Sequence, residues 1–186
     1  DKGHVVGEQS SRNWGWVRTA GRHPSEIPLV MESQRLWHEL SGRIGADTGL
    51  RKAGIVYLCE TEKEADAYET WIGEARAYQI DAKMLNRDAM EALLPGSTRA
   101  FVAAMHTPQD CRAEPSMATP AIAQAAMAKG VTIHEGCAAR GIETAAGRAS
   151  AVVTEKGRIA CDAVVAAAVA HRAVVLAHHL VLKGRV

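Results

Sequence analysis

The sequence predicts a mixed α/β fold, with α+β character in its middle, on three observations. Segments with helical apolar spacing alternate with short strand-like runs, and three strand candidates crowd together between residues 131 and 155 with Gly-containing turns between them. A continuous apolar run, "DAVVAAA" (Asp162 to Ala168), has no polar alternation, the pattern of a strand buried on both faces of a parallel sheet. Together these suggest half of a nucleotide-binding fold joined to a smaller α+β unit.

In chain order, Ser25 is placed to cap a helix through Leu29, Val30, Leu36, Trp37 and Leu40 that ends near Gly42. "GIVYLCE" (Gly54 to Glu60) reads as a strand, and "TEKE" (Thr61 to Glu64) as a capping box opening a helix through Ala65, Tyr68, Ile72 and Ala75. A short helix is expected after Asn86, stopping at Pro95, and "RAFVAAMH" (Arg99 to His106) returns to extended character. From Pro115 an Ala-rich helix runs to Lys129, closed by Gly130, with Pro120 near enough to its start for the helix to begin or bend there. "VTIHE" (Val131 to Glu135), "CAARGIET" (Cys137 to Thr144) and "ASAVVTE" (Ala149 to Glu155), with a tight turn at "EKGRI", form the expected β-meander.

Composition excludes several classes of function. With 47% hydrophobic and 23% charged side chains in 186 residues, the chain is an ordinary globular one with enough length for a real core. Its 22 basic and 21 acidic side chains nearly cancel, and aromatics are sparse, so neither a phosphate-tracking surface nor a stacking platform is encoded, and nucleic acid is set aside. Cys59, Cys111, Cys137 and Cys161 form no C-x-x-C pair and read as buried reduced thiols. His106 and His134 read as satisfied strand or loop residues, and His178 and His179 are adjacent and would point apart on a helix, so no metal is assigned. No run of eighteen apolar residues is present, and no membrane span is expected. Cytoplasm is the default location, although the chain begins with Asp1 and a leader upstream would not be visible.

The stretch that asks for an explanation is "EQSSRNWGWVR" (Glu8 to Arg18), which sets a glycine between two tryptophans. Read with its surroundings, it carries a resemblance. "DKG", "SSRNWGWVR", "PLVMESQRLWHEL", "CRAEPSMATPAIAQAAMAKGVTIHEGCAARGIET" and "GRIACDAVVAAA" stand in an order and spacing similar to flavin-dependent amine and amino-acid oxidoreductases of the D-amino-acid oxidase superfamily, nearest to the sarcosine-oxidase and glycine-oxidase-like branch. The resemblance covers most of Asp1 to Ala168.

It implies an incomplete FAD-binding Rossmann-like domain (1–40 and 107–168) with a β-meander, part of a substrate-binding α+β domain (41–106), and a divergent tail (169–186). It further implies FAD as cofactor and a small amino acid or amine as substrate. Asp1 takes the place of the family's ribose-binding acid, beside Lys2. Ser10, Ser11, Arg12 and Asn13 stand where hydroxyl, amide and backbone donors would meet the flavin edge or pyrophosphate, and Trp14 and Trp16 would wall off water. Gly15 would let the backbone pass close to a flat ring. Arg18 matches the arginine that holds the substrate carboxylate, a task suited to its planar fork. Ala138 stands where main-chain atoms hold the adenine, and Ala168 at the last strand before a flavin-contacting glycine, a position that Val169 fills here.

One part of the pattern is absent. A dinucleotide site needs a G-x-G-x-x-G turn, and no two of the sixteen glycines are two residues apart. The chain therefore reads as an internal or truncated portion of such an oxidoreductase, and the tail reads equally as a shifted reading frame or a divergent helix. Two functions follow from the sequence. One is an FAD-dependent oxidoreductase acting on a C–N bond. The other is a non-catalytic remnant or self-associating binding module without flavin.

Overall fold

The computed structural model describes residues 1–97 and 99–167. The chain divides into two compact units, one of residues 13–122 and one of residues 1–12 with the chain from residue 123.

In the unit of residues 13–122, β1 (Trp16–Val17) precedes a 3-10 turn at Pro24–Glu26 and α1 (Ile27–Ile44). β2 (Arg51–Lys52), β3 (Ile55–Cys59), α2 (Glu62–Ala75), β4 (Lys83–Leu85), α3 (Arg87–Leu93), β5 (Ala103–Thr107) and β6 (Cys111–Arg112) follow. α4 (Pro115–Ala128) starts in this unit. The strands make two small antiparallel sheets, ordered β1-β6-β2 and β3-β5-β4. β5 is central in its sheet, and its Ala104, Met105 and Thr107 are buried.

The helix ends follow local chemistry. Thr61 and Glu64 form the expected capping box of α2: Glu64 N donates to Thr61 Oγ1 and Thr61 N to a Glu64 carboxylate oxygen. α3 is capped by Asn86, whose Oδ1 accepts from Ala89 N at 3.0 Å. At α1 the structure departs from expectation. Pro24 opens a 3-10 turn, where no N–H is needed, so the capping acceptor is His23 Nδ1, which takes the Ser25 N–H, and the α-helix proper begins at Ile27. That helix passes through Gly42 and closes at Gly45, which is left-handed at φ 69°. A glycine within a helix costs only about 1 kcal/mol, and the half-buried Leu40 and Ile44 on either side of Gly42 suffice to carry the helix past it.

The core packs Ile27 of α1, Ile55 of β3, Trp71, Ile72 and Ala75 of α2, and Met105 of β5 together with Ala20 and Ile80. Burying each large apolar side chain contributes roughly 1.5–3 kcal/mol. A second cluster, Val17, Cys111 and Ala113 with Trp37 and Leu50 against it, holds β1 and β6 beside α1. This cluster holds Val17, just before Arg18, while Ala20, just after it, packs in the first.

In the other unit, β7 (Ala139–Ala145), β8 (Arg148–Thr154) and β9 (Gly157–Ala160) form an antiparallel meander. Ala146 and Gly147 turn the chain between β7 and β8 with φ of 49° and 76°, the pair of positive angles that a two-residue hairpin requires.

Two expected strands are absent. Val131 to Glu135 forms none: its polar groups face residues near Asp1, with His134 O accepting from Asp1 N at 2.7 Å and Glu135 Oε1 from Val5 N at 2.6 Å. Asp162 to Ala167 forms none either, and Val165 is 89% exposed. A strand buried on both faces needs a layer packed on each face of a parallel sheet, and every strand pair among the described residues is antiparallel. Ala168, Val169 and the tail to Val186, including His178 and His179, lie outside the described residues.

Candidate functional site

The approach to Arg18 is built by a glycine and an asparagine. Asn13 Oδ1 accepts from Gly15 N at 2.7 Å, bending the chain, and Gly15 takes φ 68°. Its carbonyl then accepts from Ala113 N at 2.8 Å. The glycine between the tryptophans thus lets two stretches of this chain's own backbone meet. Trp14, 77% exposed, and Trp16, 41% exposed, lie edge to face with centroids 5.0 Å apart.

β1 delivers Arg18 into an aromatic cluster. Its guanidinium carbon lies 4.9 Å from the Trp16 ring centroid and 5.4 Å from that of Tyr57. Trp16 meets Tyr57 edge to face at 6.0 Å, and Tyr57 meets Tyr68 of α2 at 5.3 Å. Arg18 Nη1 donates to the Ala20 carbonyl. Burial pushes the Tyr57 hydroxyl above its ordinary value, against the pull of the Arg18 charge, and burial also raises Tyr68.

Asp110, fully buried in the turn between β5 and β6, bonds the residues that follow Arg18. Its Oδ1 accepts from Thr19 N at 2.7 Å, Thr19 Oγ1 at 2.9 Å and Gln34 Nε2 at 2.8 Å, and its Oδ2 from Ala20 N at 2.9 Å. Gln34 also reaches the Val17 carbonyl at 3.0 Å. Sequence reasoning missed Asp110, Tyr57 and Tyr68. "TPQDC" reads as a plain turn, and the two tyrosines look like ordinary residues of a strand and a helix.

Asp1, Lys2, Ser10, Ser11, Arg12 and Ala138 lie in the other unit, and Ala168 lies outside the described residues. Asp1 and Ala138 come together there: Cys137 N donates to Asp1 O at 2.7 Å, and Ala138 N to Glu155 Oε2 at 3.4 Å. The Asp1 carboxylate accepts from Gly3 N at 2.9 Å. Lys2 and Arg12 share the Glu8 carboxylate, at 3.2 and 3.9 Å. Ser10 and Ser11 are exposed on the 3-10 turn Gln9–Ser11, and the Ser11 hydroxyl donates to Glu8 O at 2.9 Å. The structure therefore groups Asn13, Trp14, Gly15, Trp16 and Arg18 in one unit and Asp1, Lys2, Ser10, Ser11, Arg12 and Ala138 in the other. Among the described residues no group of three His, Cys, Asp or Glu side chains could hold a metal, and no helix is long and apolar enough to cross a membrane.

Comparison with known proteins places this arrangement. The family model described as DAO, FAD dependent oxidoreductase, matches residues 1–184. A D-amino acid dehydrogenase of Bradyrhizobium diazoefficiens is 29% identical over 84% of this chain and 38% of its own length. The pyruvate dehydrogenase phosphatase regulatory subunit of Mus musculus is 25% identical over 82% of this chain and 18% of its own. Among solved structures, L-amino acid deaminase from Proteus myxofaciens in complex with anthranilate superposes with a TM-score of 0.79 and 33% identity, over 87% of this chain and 37% of that one. The chain thus spans well under half the length of each of these relatives.

Within one unit, the Asp1 backbone meets Cys137, next to Ala138, and the Asp1 carboxylate could there accept from the adenosine hydroxyls of an FAD, whereas the sequence holds no G-x-G-x-x-G turn for its pyrophosphate. At the starts of α2 and α3 one N–H each is taken, Glu64 N by Thr61 and Ala89 N by Asn86.

Proposed function

Because the chain belongs to the DAO family of FAD dependent oxidoreductases, we propose that it forms part of an enzyme oxidising the C–N bond of a small amino acid or amine. When bound, the flavin would accept the hydride equivalent that leaves the substrate carbon. The chain's own contribution is to bind and orient. Arg18 holds the substrate carboxylate through its planar fork, with Trp16 and Tyr57 flanking the guanidinium and restricting water around it. Asp1 accepts from adenosine hydroxyls beside Ala138, and Ser10, Ser11, Arg12 and Asn13 border the cofactor. Ala168 belongs to the same reading by resemblance alone.

The reading rests above all on Arg18, a cation set among aromatic rings and anchored, among the described residues, through Nη1. Its test is a visible spectrum and an FAD titration of the 186-residue chain, then of a protein completed with the remaining segments of a relative. The chain by itself is expected to take up little FAD. The completed protein is expected to bind it and to lose its flavin absorbance under anaerobic amino acid. A flavin that no amino acid or amine bleaches would overturn the proposal.

One observation favours a second reading, a binding module without catalysis: a relative covering 82% of this chain is named as a regulatory subunit. Self-association belongs to that reading, supported by β9, every residue of which is exposed. Light scattering over a dilution series tests it. The free thiols Cys59, Cys111, Cys137 and Cys161 suit a reducing compartment such as the cytoplasm.

A further inference from the structure

We infer that Asp110 is the positioning residue for Arg18, acting through the Thr19–Ala20 turn. The inference rests on the reading of Arg18 as a carboxylate anchor and extends it to the residue that fixes its aim.

Asp110 is far from Arg18 in sequence and reaches it through a short relay. Among the described residues its four hydrogen-bond donors are all neutral, and three come from Thr19 and Ala20, the two residues that follow the arginine. Burying a carboxylate is costly unless its oxygens are filled, and here the turn fills them. Ala20 is the pivot. Its N–H is held by Asp110 Oδ2 at 2.9 Å, and its carbonyl accepts from Arg18 Nη1. Gly21, at φ 65°, then turns the chain away; a Cβ there would sit 3.5 Å from Arg18 Nη1 and 3.6 Å from the Tyr57 hydroxyl, so the turn stays against the guanidinium. Gln34 locks the same carboxylate to the end of β1 by bonding both Asp110 Oδ1 and Val17 O.

The consequence for Arg18 is geometric. One Nη is committed to Ala20, the rings of Trp16 and Tyr57 flank the guanidinium carbon, and among the described residues none bonds Nε or Nη2, so that edge can receive a carboxylate in two-pronged fashion. If the turn relaxes, Nη1 loses its carbonyl and the fork no longer has one preferred direction. Asn at position 110 would set an amide NH2 against one of the donors now bonded, so it should release the turn even though it is nearly the same size.

The test uses the 186-residue chain and the arginine side-chain NMR signal of Arg18, assigned by its loss in Arg18→Lys. In the parent, the Nε–H signal is expected to be displaced by the neighbouring rings, and the Nη1 protons held by Ala20 O to be slow to exchange with water. In Asp110→Asn, and in the milder Thr19→Val, the Nε–H signal should move to the position of exposed arginines, and the Nη1 protons should exchange about tenfold faster or more. Met105→Leu, which perturbs the core elsewhere, should lower the melting temperature and leave the signal in place. An Arg18 signal unmoved in a folded Asp110→Asn or Thr19→Val chain overturns the inference. Benzoate is the carboxylate probe. Asp110→Asn is expected to weaken its binding about tenfold, and Arg18→Lys at least as much. If benzoate binds the Arg18→Lys chain as well as the parent, or binds neither, the anchor reading fails, while the Arg18 signal still decides whether Asp110 positions it.

Discussion

Ala113 closes on Gly15 from two directions. Its N–H donates to the Gly15 carbonyl at 2.8 Å, and its own carbonyl oxygen lies 2.1 Å from where a Cβ on Gly15 would stand. Gly15 also holds φ 68°, which L side chains rarely adopt. Gly15→Ala should therefore destabilise the 13–122 unit by about 3 kcal/mol, since strain and clash add. Gly42→Ala, within α1 and with nothing inside 4 Å, should stabilise by about 0.5–1 kcal/mol. Urea midpoints of the two variants read both signs; an unchanged midpoint for Gly15→Ala would contradict the contact with Ala113.

Thr107 is fully buried in β5, and among the described residues its hydroxyl has no hydrogen-bond partner. Thr107→Val keeps the branched shape that suits a strand and removes a polar group that gains nothing. Stability is expected to rise by about 1 kcal/mol. A fall in the thermal midpoint would reveal that the hydroxyl is satisfied in solution.

The capping box of α2 offers a local test. Thr61→Ala removes the acceptor of Glu64 N and should cost about 1 kcal/mol, whereas Thr61→Ser should cost far less because the hydroxyl remains. Equal losses for the two variants would assign the effect to the Thr61 methyl.

Tyr57 links stability to alkaline pH. Burial raises its folded value above the ordinary one of about 10, so the fold favours the neutral ring. That contribution is complete below about pH 10 and is lost as pH rises through the raised value. The Arg18 charge opposes the shift, so Arg18→Met should move the Tyr57 titration still higher. Tyrosinate absorbance, with Tyr57→Phe to assign the signal, measures it. A downward shift in Arg18→Met would mean that the guanidinium does not face the ring.

Much of this was readable from local pattern. "TEKE" declared its helix because the two bonds of a capping box lie within four residues, and the turns of the β7-β8-β9 meander declared themselves through glycine. The mixed class and the family resemblance hold for the same reason: they rest on segments that each carry their own signal. Asp110 carries none. Its partners Thr19 and Ala20 lie about ninety residues away, and a turn aspartate looks the same whether it faces solvent or a buried amide. Gly42 misled because a glycine marks a helix end only where the chain turns left-handed, which happens at Gly45. The run at 162–167 misled because apolar residues suggest a buried strand, while burial depends on neighbours that periodicity does not describe.

The strand registers also bear on how fast the chain acquires its structure. In the meander, Ala145 pairs with Arg148 and Thr154 with Gly157, contacts that a hairpin can close in about 1–10 μs. In the 13–122 unit, Val17 pairs with Cys111, Lys52 with Cys111, Ile55 with Thr107 and Leu85 with Ala104. Each of those ladders must wait for a long stretch of chain to be drawn in, which places them on the scale of roughly milliseconds to seconds. The rim around Arg18 needs both ends of that unit, so it is assembled late. During the interval the apolar strands β3 and β5 stand unpaired, and that interval, more than the finished fold, is when this chain is most exposed to aggregation.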